Sequence, residues 1–378
     1  QGIDIPALDP VDTVNVSNAT QLGNAINTIN TTSAAGRHIV LANGSYSGNY
    51  TITAQGTQAN PIVIRSSGIL GATLTGTLTV AGKWVIVRGL NTRTVNFETS
   101  GGFTANNSRL SRCVVSNGSN TKVNVQKGVN NCCFDRNEFI GGSGHVLEIR
   151  CQTDTLQNCI VWNLFRDGTN EDASGSGADD STIILHQFTY AGAVRPQYLL
   201  TAWNRFQDST NSTPCQYKMG GSVFLQNTID GHPTSGFSFS QRLGSDGYIG
   251  GNYVVSGGLM GFRGQYLKVF GNRASVRLNP GNIPGGESQL PTWDSSTQGK
   301  GWTFAEDVEC IGNVGPLNVR GTDSNFAYSP LRCLVEDHTG SVTIASTARQ
   351  TIDRRNEPAS QVIPAAFELL ASDVGPYS

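Results

Sequence analysis

Three cationic residues recur at nearly regular intervals in the second half of the chain. Lys218 stands in QYKMGG, Arg242 in FSFSQRL and Arg263 in GFRG, at intervals of 24 and 21 residues. The planar guanidinium of Arg can hold a carboxylate with two parallel hydrogen bonds, and Lys offers a compact positive charge. If the chain repeats with this period, the three cations form a strip that could hold an anionic ligand.

Groups able to move a proton stand near these cations in the sequence. His232, in DGHPTSG, has an ordinary pKa of about 6.5 and is a conventional general base. Tyr217 and Tyr248 could each serve as a combined base and acid. Arg242 normally stays protonated, because the pKa of a guanidinium lies above about 12. The residues themselves therefore leave the identity of a base open.

The elements that would position these side chains are short strands that recur along the chain. Seven segments each show a short strand, an Asn and another short strand, mostly 20 to 26 residues apart. The asparagines are Asn137, Asn163, Asn204, Asn227, Asn252, Asn272 and Asn313. A unit of this length and texture is typical of a parallel β-solenoid. We expect each Asn to take the left-handed conformation at a bend and to pair with its neighbours in an amide ladder.

The pattern predicts a single domain over residues 1–378, with a short amphipathic capping helix within residues 14–32. The apolar positions that share one face of this helix are Leu22, Ala25, Ile26 and Ile29. The two intervals of 41 residues between asparagines hold Gly-, Ser- and Pro-rich insertions, 166–196 and 278–303. We expect both insertions to be loops that line a cleft.

The composition excludes several classes of function. Charged residues make up only 14 % of the chain and the net charge is −2, so no global positive field gathers nucleic acid. No apolar run reaches the roughly 18 residues that span a membrane. We therefore expect neither a nucleic-acid nor a membrane partner, and we expect a monomer.

The eight cysteines are an even count, which favours a secreted protein with disulfides. Cys113, Cys133 and Cys159 fall at similar places in successive segments, so bridges between coils would be within reach. No pair has the spacing of a zinc site. We also expect a processed chain, because Gln1 opens the sequence without Met or a signal-peptide pattern.

Five stretches, in a consistent order over most of the chain, resemble those of one enzyme family. They are IVLANGSYSG, NPIVIRSS, KWVIVRGL, GFRG and the terminal SDVGP. The family is polysaccharide lyase family 6, the group of chondroitinase B and many alginate lyases. The resemblance implies a right-handed parallel β-helix and cleavage of an acidic polysaccharide by β-elimination. It also implies a calcium ion, held by acidic side chains, that neutralises the uronate carboxylate.

The resemblance implies roles for particular residues. Arg263 matches the Arg that helps to protonate the leaving oxygen, and the Lys that takes the C5 proton falls on Arg242. The pectate lyases, other β-helix lyases, are thought to use an Arg as base, which allows Arg242 that role. The two acidic calcium ligands fall on Ser235 and Phe237, and an expected His falls on Gly264. We therefore expect no metal and no other cofactor at the family's calcium position.

Further residues are candidates for contact with a sugar chain. Lys218, Tyr217 and Tyr248 lie close in sequence to the two arginines. Trp293 and Trp302 stand on the second insertion, and their rings could stack on sugar. These five are candidate substrate-binding residues.

Alternation along HVLEIR places Glu148 and Arg150 on one face of a strand. We interpret the two residues first as a surface ion pair and second as contacts to a sugar. The same alternation in GFSFS predicts that Phe237 and Phe239 lie in the core.

The sequence thus predicts a secreted polysaccharide lyase that cleaves a uronate-containing polysaccharide, calcium-independent at the family's usual site. Two alternatives stay open. One is a glycoside hydrolase on the same fold, for which Asp230 and Asp246 are the nearest guesses at a carboxylate pair. The other is a non-catalytic glycan-binding solenoid.

Overall fold

The computed structural model describes most of the chain outside its loops. The described residues are 12–32, 34–116, 122–126, 128–141, 146–151, 157–167, 184–188, 199–207, 214–218, 221–230, 237–243, 246–255, 258–264, 266–279, 305, 307–322, 330–348, 350–354 and 373–374. For residues 150, 151, 184–188, 218, 222, 242 and 243 the backbone alone is described. His232, Trp293, Trp302 and Ser235 lie outside these ranges, as do most of the two predicted insertions.

The predicted helix is confirmed as α1 (Ala19–Thr31). Asn18 caps it, since its Oδ1 accepts a hydrogen bond of 2.9 Å from the backbone N–H of Gln21. The predicted apolar face is buried against the first strands and joins the main core. No helix in the described ranges is long and apolar enough to cross a membrane.

The rest of the described chain consists of short strands separated by turns. In chain order the strands are β1 (Asp12–Val16), β2 (Arg37–Leu41), β3 (Gly44–Tyr46), β4 (Tyr50–Ile52), β5 (Ile62–Ser66), β6 (Ala72–Val80), β7 (Val85–Arg88), β8 (Asn91–Phe97), β9 (Thr99–Ser100), β10 (Phe103–Thr104), β11 (Arg109–Ser111), β12 (Val114–Val115), β13 (Val123–Val125), β14 (Cys133–Asp135), β15 (Glu138–Ile140), β16 (Leu147–Cys151), β17 (Cys159–Val161), β18 (Leu164–Arg166), β19 (Ile184–Phe188), β20 (Leu199–Ala202), β21 (Arg205–Gln207), β22 (Cys215–Lys218), β23 (Ser222–Leu225), β24 (Thr228–Ile229), β25 (Phe239–Leu243), β26 (Tyr248–Gly250), β27 (Tyr253–Val254), β28 (Leu259–Phe262), β29 (Lys268–Phe270), β30 (Ser275–Leu278), β31 (Glu309–Ile311), β32 (Leu317–Val319), β33 (Leu334–Glu336), β34 (Val342–Ile344) and β35 (Ile352–Arg354).

Apart from β9 and β10, which form a separate antiparallel pair, these strands stack coil on coil into three parallel faces. The first face is one 14-stranded sheet, in the order β1-β2-β5-β7-β11-β14-β17-β20-β23-β26-β29-β31-β33-β35. The second face holds the short strands β12, β15, β18, β21, β24 and β27. The third face runs through β13, β16, β19, β22, β25, β28, β30, β32 and β34. The predicted all-β parallel β-helix is confirmed.

The core fills the space between the three faces. Buried apolar side chains from Val16 on β1 to Val335 on β33 join one cluster. Aromatic rings stack along the axis, with centroids 4.7 Å apart for Phe139 and Phe165 and 5.0 Å apart for Phe165 and Phe206. Stacked rings at this spacing follow from parallel strands that repeat the same inward position in each coil.

The predicted Asn ladder is confirmed at the corner between the first and second faces. Along the seven asparagines from Asn137 to Asn313, each of the first six side-chain amides donates to the Oδ1 of the next, over 2.8–3.1 Å. The predicted backbone conformation of these asparagines is wrong, because the left-handed φ falls on the residue before each of them, for example 60° at Trp162 and 50° at Gln226. The bend therefore turns each Asn side chain inward, where it reaches its neighbour.

The first predicted insertion differs from the expectation, because residues 184–188 inside it form β19. This strand pairs with β16 on one side and with β22 on the other. The interval of 41 residues therefore contains a regular rung of the third face.

The described cysteines are free thiols. Cys133 and Cys159 are register partners on β14 and β17. Cys113 lies in a different row, because it follows the left-handed Arg112 and turns inward to the head of the Asn ladder, where its N–H donates to Asn137 over 2.9 Å. The expectation that all three share one row is therefore wrong.

Candidate active site

The predicted cations lie on consecutive strands of the third face. Lys218 ends β22, Arg242 lies in β25, and Arg263 directly follows β28. The strands pair in parallel, β22 with β25 and β25 with β28, and the backbone N–H of Arg263 donates to Gln241 O over 2.8 Å. The one-coil spacing inferred from the sequence therefore corresponds to adjacent rungs of one sheet.

The pairing of β22 with β25 carries an irregularity at the site. Tyr217 pairs with Gln241, but Lys218 pairs with Leu243, so Arg242 is the extra residue of a bulge. A β-bulge changes the direction of the strand locally and often occurs beside functional sites. Its position here coincides with the residue that the resemblance places at the catalytic base.

The same face carries two cations that the sequence analysis missed. Arg277 on β30 is the register partner of Gly261 on one side and of Asn318 on the other. Arg320 directly follows β32, and its N–H donates to Leu278 O over 3.0 Å. Burial, followed by the positive charge of Arg320, lowers the pKa of Arg277. The row of cations on this face therefore extends over β22, β25, β28, β30 and β32.

A sequence signal for both residues existed. Arg277 occupies an outward position in SVRL, and Arg320 follows LNV just as Arg263 follows LMGF. Extending the alternation of each third-face strand by one further coil would have found them.

Phe237 lies on this outer face and not in the core, so the prediction for it is wrong. Strand β25 begins only at Phe239, which is fully buried, and strand alternation does not extend back to Phe237. The Phe237 ring lies over the backbone of Gly261, where an added Cβ would stand 2.3 Å from it. The guanidinium carbon of Arg277 is 5.8 Å from the ring centroid, a cation–π distance.

The residues present do not fit the calcium ion that the resemblance implies. Phe237 supplies a ring where the family has an acidic ligand, and it packs against a cation, Arg277. In the described ranges, no group of three or more His, Cys, Asp or Glu side chains is arranged to hold a metal. Ser235, the second position, is outside those ranges.

The structure holds two predicted substrate contacts, Tyr217 and Tyr248, away from this face. Tyr217 points into the core with no exposed surface, where its ring packs edge-on against Phe224 and Phe239. Burial raises the pKa of Tyr217 well above its ordinary value, so its hydroxyl stays protonated and is not available as a base. Tyr248 is 38 % exposed but belongs to β26 of the first face, where its ring packs on Phe270.

Glu148 lies on β16 of the third face, directed away from the core but only 4 % exposed. A side chain covered to this extent offers little surface to a sugar, which argues against the predicted contact. Arg150 follows on the same strand, and its side chain is outside the described part. Their predicted ion pair stays a prediction.

The carboxylates suggested for a hydrolase do not form a pair. Asp230 follows β24 and forms an ion pair with Arg205 of β21, the strand that pairs with β24. Asp246 precedes β26, at the other end of the segment that contains β25. Two carboxylates separated in this way do not flank one glycosidic bond.

The three stacked faces define a parallel β-helix. No family model and no curated protein matches the sequence. Among solved structures, the chain is similar to a family 6 polysaccharide lyase from Pseudopedobacter saltans, with a TM-score of 0.72 and 13 % identity, over 97 % of this chain and 99 % of that one.

Two further structures are similar over most of the chain. A mannuronic acid specific family 6 lyase from human gut microbiota has a TM-score of 0.63 and 16 % identity, over 88 % of this chain and 83 % of that one. A family 6 alginate lyase in complex with a trisaccharide has a TM-score of 0.65 and 12 % identity, over 92 % and 85 %. At these identities the likeness defines the fold, and the resemblance to the family is confirmed at that level.

Proposed function

We propose that this protein is a secreted polysaccharide lyase that cleaves a uronate-containing acidic polysaccharide by β-elimination, without calcium at the family's usual position. The observation that carries this proposal is the row of cations on consecutive strands of the third face. They are Lys218, Arg242, Arg263, Arg277 and Arg320. The similarity of the fold to polysaccharide lyases supports the same reaction class.

Removal of the proton beside a carboxylate builds negative charge on that carboxylate, and fixed cations stabilise it. We assign this task to Arg277 and Arg320. Burial and then the charge of Arg320 lower the pKa of Arg277, and an anion bound beside Arg277 would oppose both effects.

Proton transfer falls to the neighbouring rungs. We assign the abstraction of the C5 proton to Arg242, with His232 as the alternative, and the protonation of the leaving oxygen to Arg263. Replacing Arg242 with Ala and, separately, His232 with Ala tests which residue is the base, because loss of the base removes the limb of the pH–rate profile in which activity rises with pH.

The main test is turnover of a panel of uronate polysaccharides by Arg263→Ala. We expect a loss of about a hundredfold or more, the usual contribution of a positioned proton donor. Arg273→Ala is the matched control, since Arg273 lies over Tyr253 near the second face, and it should keep turnover within about twofold. Ultraviolet absorbance reports the carbon–carbon double bond of a lyase product, and mass spectrometry reports whether water was added.

The same assay is run with and without a chelator. Unsaturated products that form at an unchanged rate in chelator are the expected result. Inhibition that calcium reverses would contradict the metal-free arrangement, and near-normal turnover by Arg263→Ala would move the site elsewhere. Products with added water would identify a hydrolase instead, and binding without any product would identify a glycan-binding solenoid.

A further inference from the structure

We infer that the first coils carry a second anion site, a pocket that binds an acidic saccharide unit through its oxyanion group. The pocket has a volume of about 390 Å³ and lies beside the ends of β5, β7 and β11 on the first face. Its cationic lining consists of Arg65, Arg88 and Arg112.

Three successive rungs bring these arginines together. Arg65 and Arg88 are register partners on β5 and β7, at positions that face away from the core. Arg88 is in turn the partner of Ser111 on β11, and Arg112 follows in the left-handed conformation, with φ at 54°. Neighbouring rungs lie about 4.8 Å apart, so three guanidinium groups converge within reach of one small ligand.

The opposite wall is the turn after β5, and hydrogen bonds hold it in place. Ser66 Oγ accepts from Ala72 N over 3.1 Å, and Leu70 N donates to Gly89 O over 3.0 Å. This second bond ties the turn to the next coil. The pocket is therefore formed before any ligand arrives, which lowers the entropic cost of binding.

The charge in the pocket is one-sided. None of the described residues that line it is acidic. The nearby carboxylate of Asp135 is engaged by Arg109, through two bonds of 2.6 and 2.7 Å, and by Arg136 at 3.5 Å. Burial, and then the charges of Arg136 and Arg88, lower the pKa of Arg112 more than the Asp135 carboxylate raises it, so an anion placed among these groups would be stabilised.

The size of the pocket favours an acidic sugar over a bare ion. Its volume falls in the range of sites for small organic ligands, roughly 300–1,000 Å³. Arginine forks suit the planar or tetrahedral oxyanion of a carboxylate or sulfate.

The pocket is distinct from the candidate active site. It lies on the first face, and the cationic row lies on the third. The coil that holds Arg242 contributes β23 to the first face. Five strand spacings separate β7 from β23, a distance of about 24 Å along the axis. The inference therefore stands independently of the lyase reaction.

Calorimetric titration at low salt tests the pocket with three probes: glucuronate, neutral glucose and inorganic sulfate. We expect saturable binding of glucuronate that Arg88→Gln and Arg112→Gln each weaken by about tenfold or more, as loss of a charge-assisted bond requires. Lys83→Gln, which removes an exposed charge near the opposite end of β7, should bind as the wild type does. Arg263→Ala should also leave this component of binding unchanged, which separates it from the third face.

The possible results distinguish a saccharide site from a site for any small anion and from no site at all. If sulfate binds in a way that depends on Arg88 and glucuronate does not bind, the pocket is an anion site, and the proposal that it takes an acidic saccharide is wrong. Equal binding by Arg88→Gln and Lys83→Gln, or no binding of either anion, would overturn the site. If circular dichroism shows that Arg88→Gln is unfolded, Arg112→Gln decides.

Discussion

At the scale of single residues, the absence of a side chain at Gly261 shapes the candidate site. Any Cβ at this position would meet the Phe237 ring at 2.3–2.4 Å, so only glycine leaves room for the ring beside Arg277. We expect Gly261→Ala to displace the ring, to lower the free energy of unfolding by about 1–3 kcal/mol and to reduce turnover. Urea unfolding and initial rates measure both effects.

The double variant Gly261→Ala/Phe237→Ala is the control for this clash. Once the ring is gone, the added methyl group has space, and the cost of the pair should fall below the sum of the single costs. Additive costs would show that the ring and the glycine do not interact.

Residue chemistry also predicts an alkaline limit to stability. Burial raises the pKa of the Cys113 and Cys132 thiols from 9.0 to about 12. Below pH 9 the thiols are neutral in both states. Above it the unfolded chain ionises first, so stability falls between about pH 9 and pH 12. Ionisation of each thiol in the unfolded chain should lower the free energy of unfolding by about 1.4 kcal/mol between pH 8 and pH 10.

Urea unfolding at the two pH values measures this loss, and Cys113→Ala isolates one thiol. The variant has its own cavity cost, but that cost is the same at both pH values. Between pH 8 and pH 10 the free energy of unfolding of Cys113→Ala should fall by about 1.4 kcal/mol less than that of the wild type. An unchanged loss would show that other groups set the alkaline limit.

At the scale of elements, the Asn ladder fixes the corner between the first and second faces. Asn227, in its middle, accepts two hydrogen bonds of 3.0 Å from Asn204 and donates to Thr201 O and to Asn252 Oδ1. We expect Asn227→Ala to destabilise the protein by roughly 3 kcal/mol or more, because several buried groups lose their partners together. Thermal and urea unfolding check this.

Two further variants test the ladder as a network. Asn227→Asp keeps the shape and the acceptor but loses the donors, and it sets a carboxylate against Asn252 Oδ1, so we expect it to be at least as costly. Asn318→Ala removes an exposed amide on the third face and should change stability by less than about 0.5 kcal/mol. Equal effects of Asn227→Ala and Asn318→Ala would contradict the network.

The elements also show how far the sequence could predict this molecule. The period of the asparagines predicted the coil, the ladder and the adjacency of Arg242 and Arg263, because a repeat length translates directly into stacking. The side on which Tyr217 lies was not predictable in this way, since one residue of register moves a side chain between core and surface. The bulge at Arg242 is such a shift, and no composition signal marks it.

At the scale of the whole molecule, each coil contacts only its neighbours, so the coil at each end lacks a neighbour on one side. A solenoid that leaves an end open exposes both its core and the edge of its sheets to another copy. Here β1 is the first strand of the first face, and α1 packs over β1 to β4 with its apolar face in the main core. The helix therefore serves as the cap of this end.

Ile26→Asp tests the cap, because it places a carboxylate on the buried face of α1. Burying an unpaired charge costs several kcal/mol, so we expect the helix to detach, the melting temperature to fall and the exposed end to associate. Light scattering over a concentration series and thermal melting measure these effects. Asn27→Asp adds the same charge on the exposed face and should stay at the wild-type melting temperature within roughly 2 °C. If Ile26→Asp behaved as Asn27→Asp does, coil stacking alone would hold this end closed.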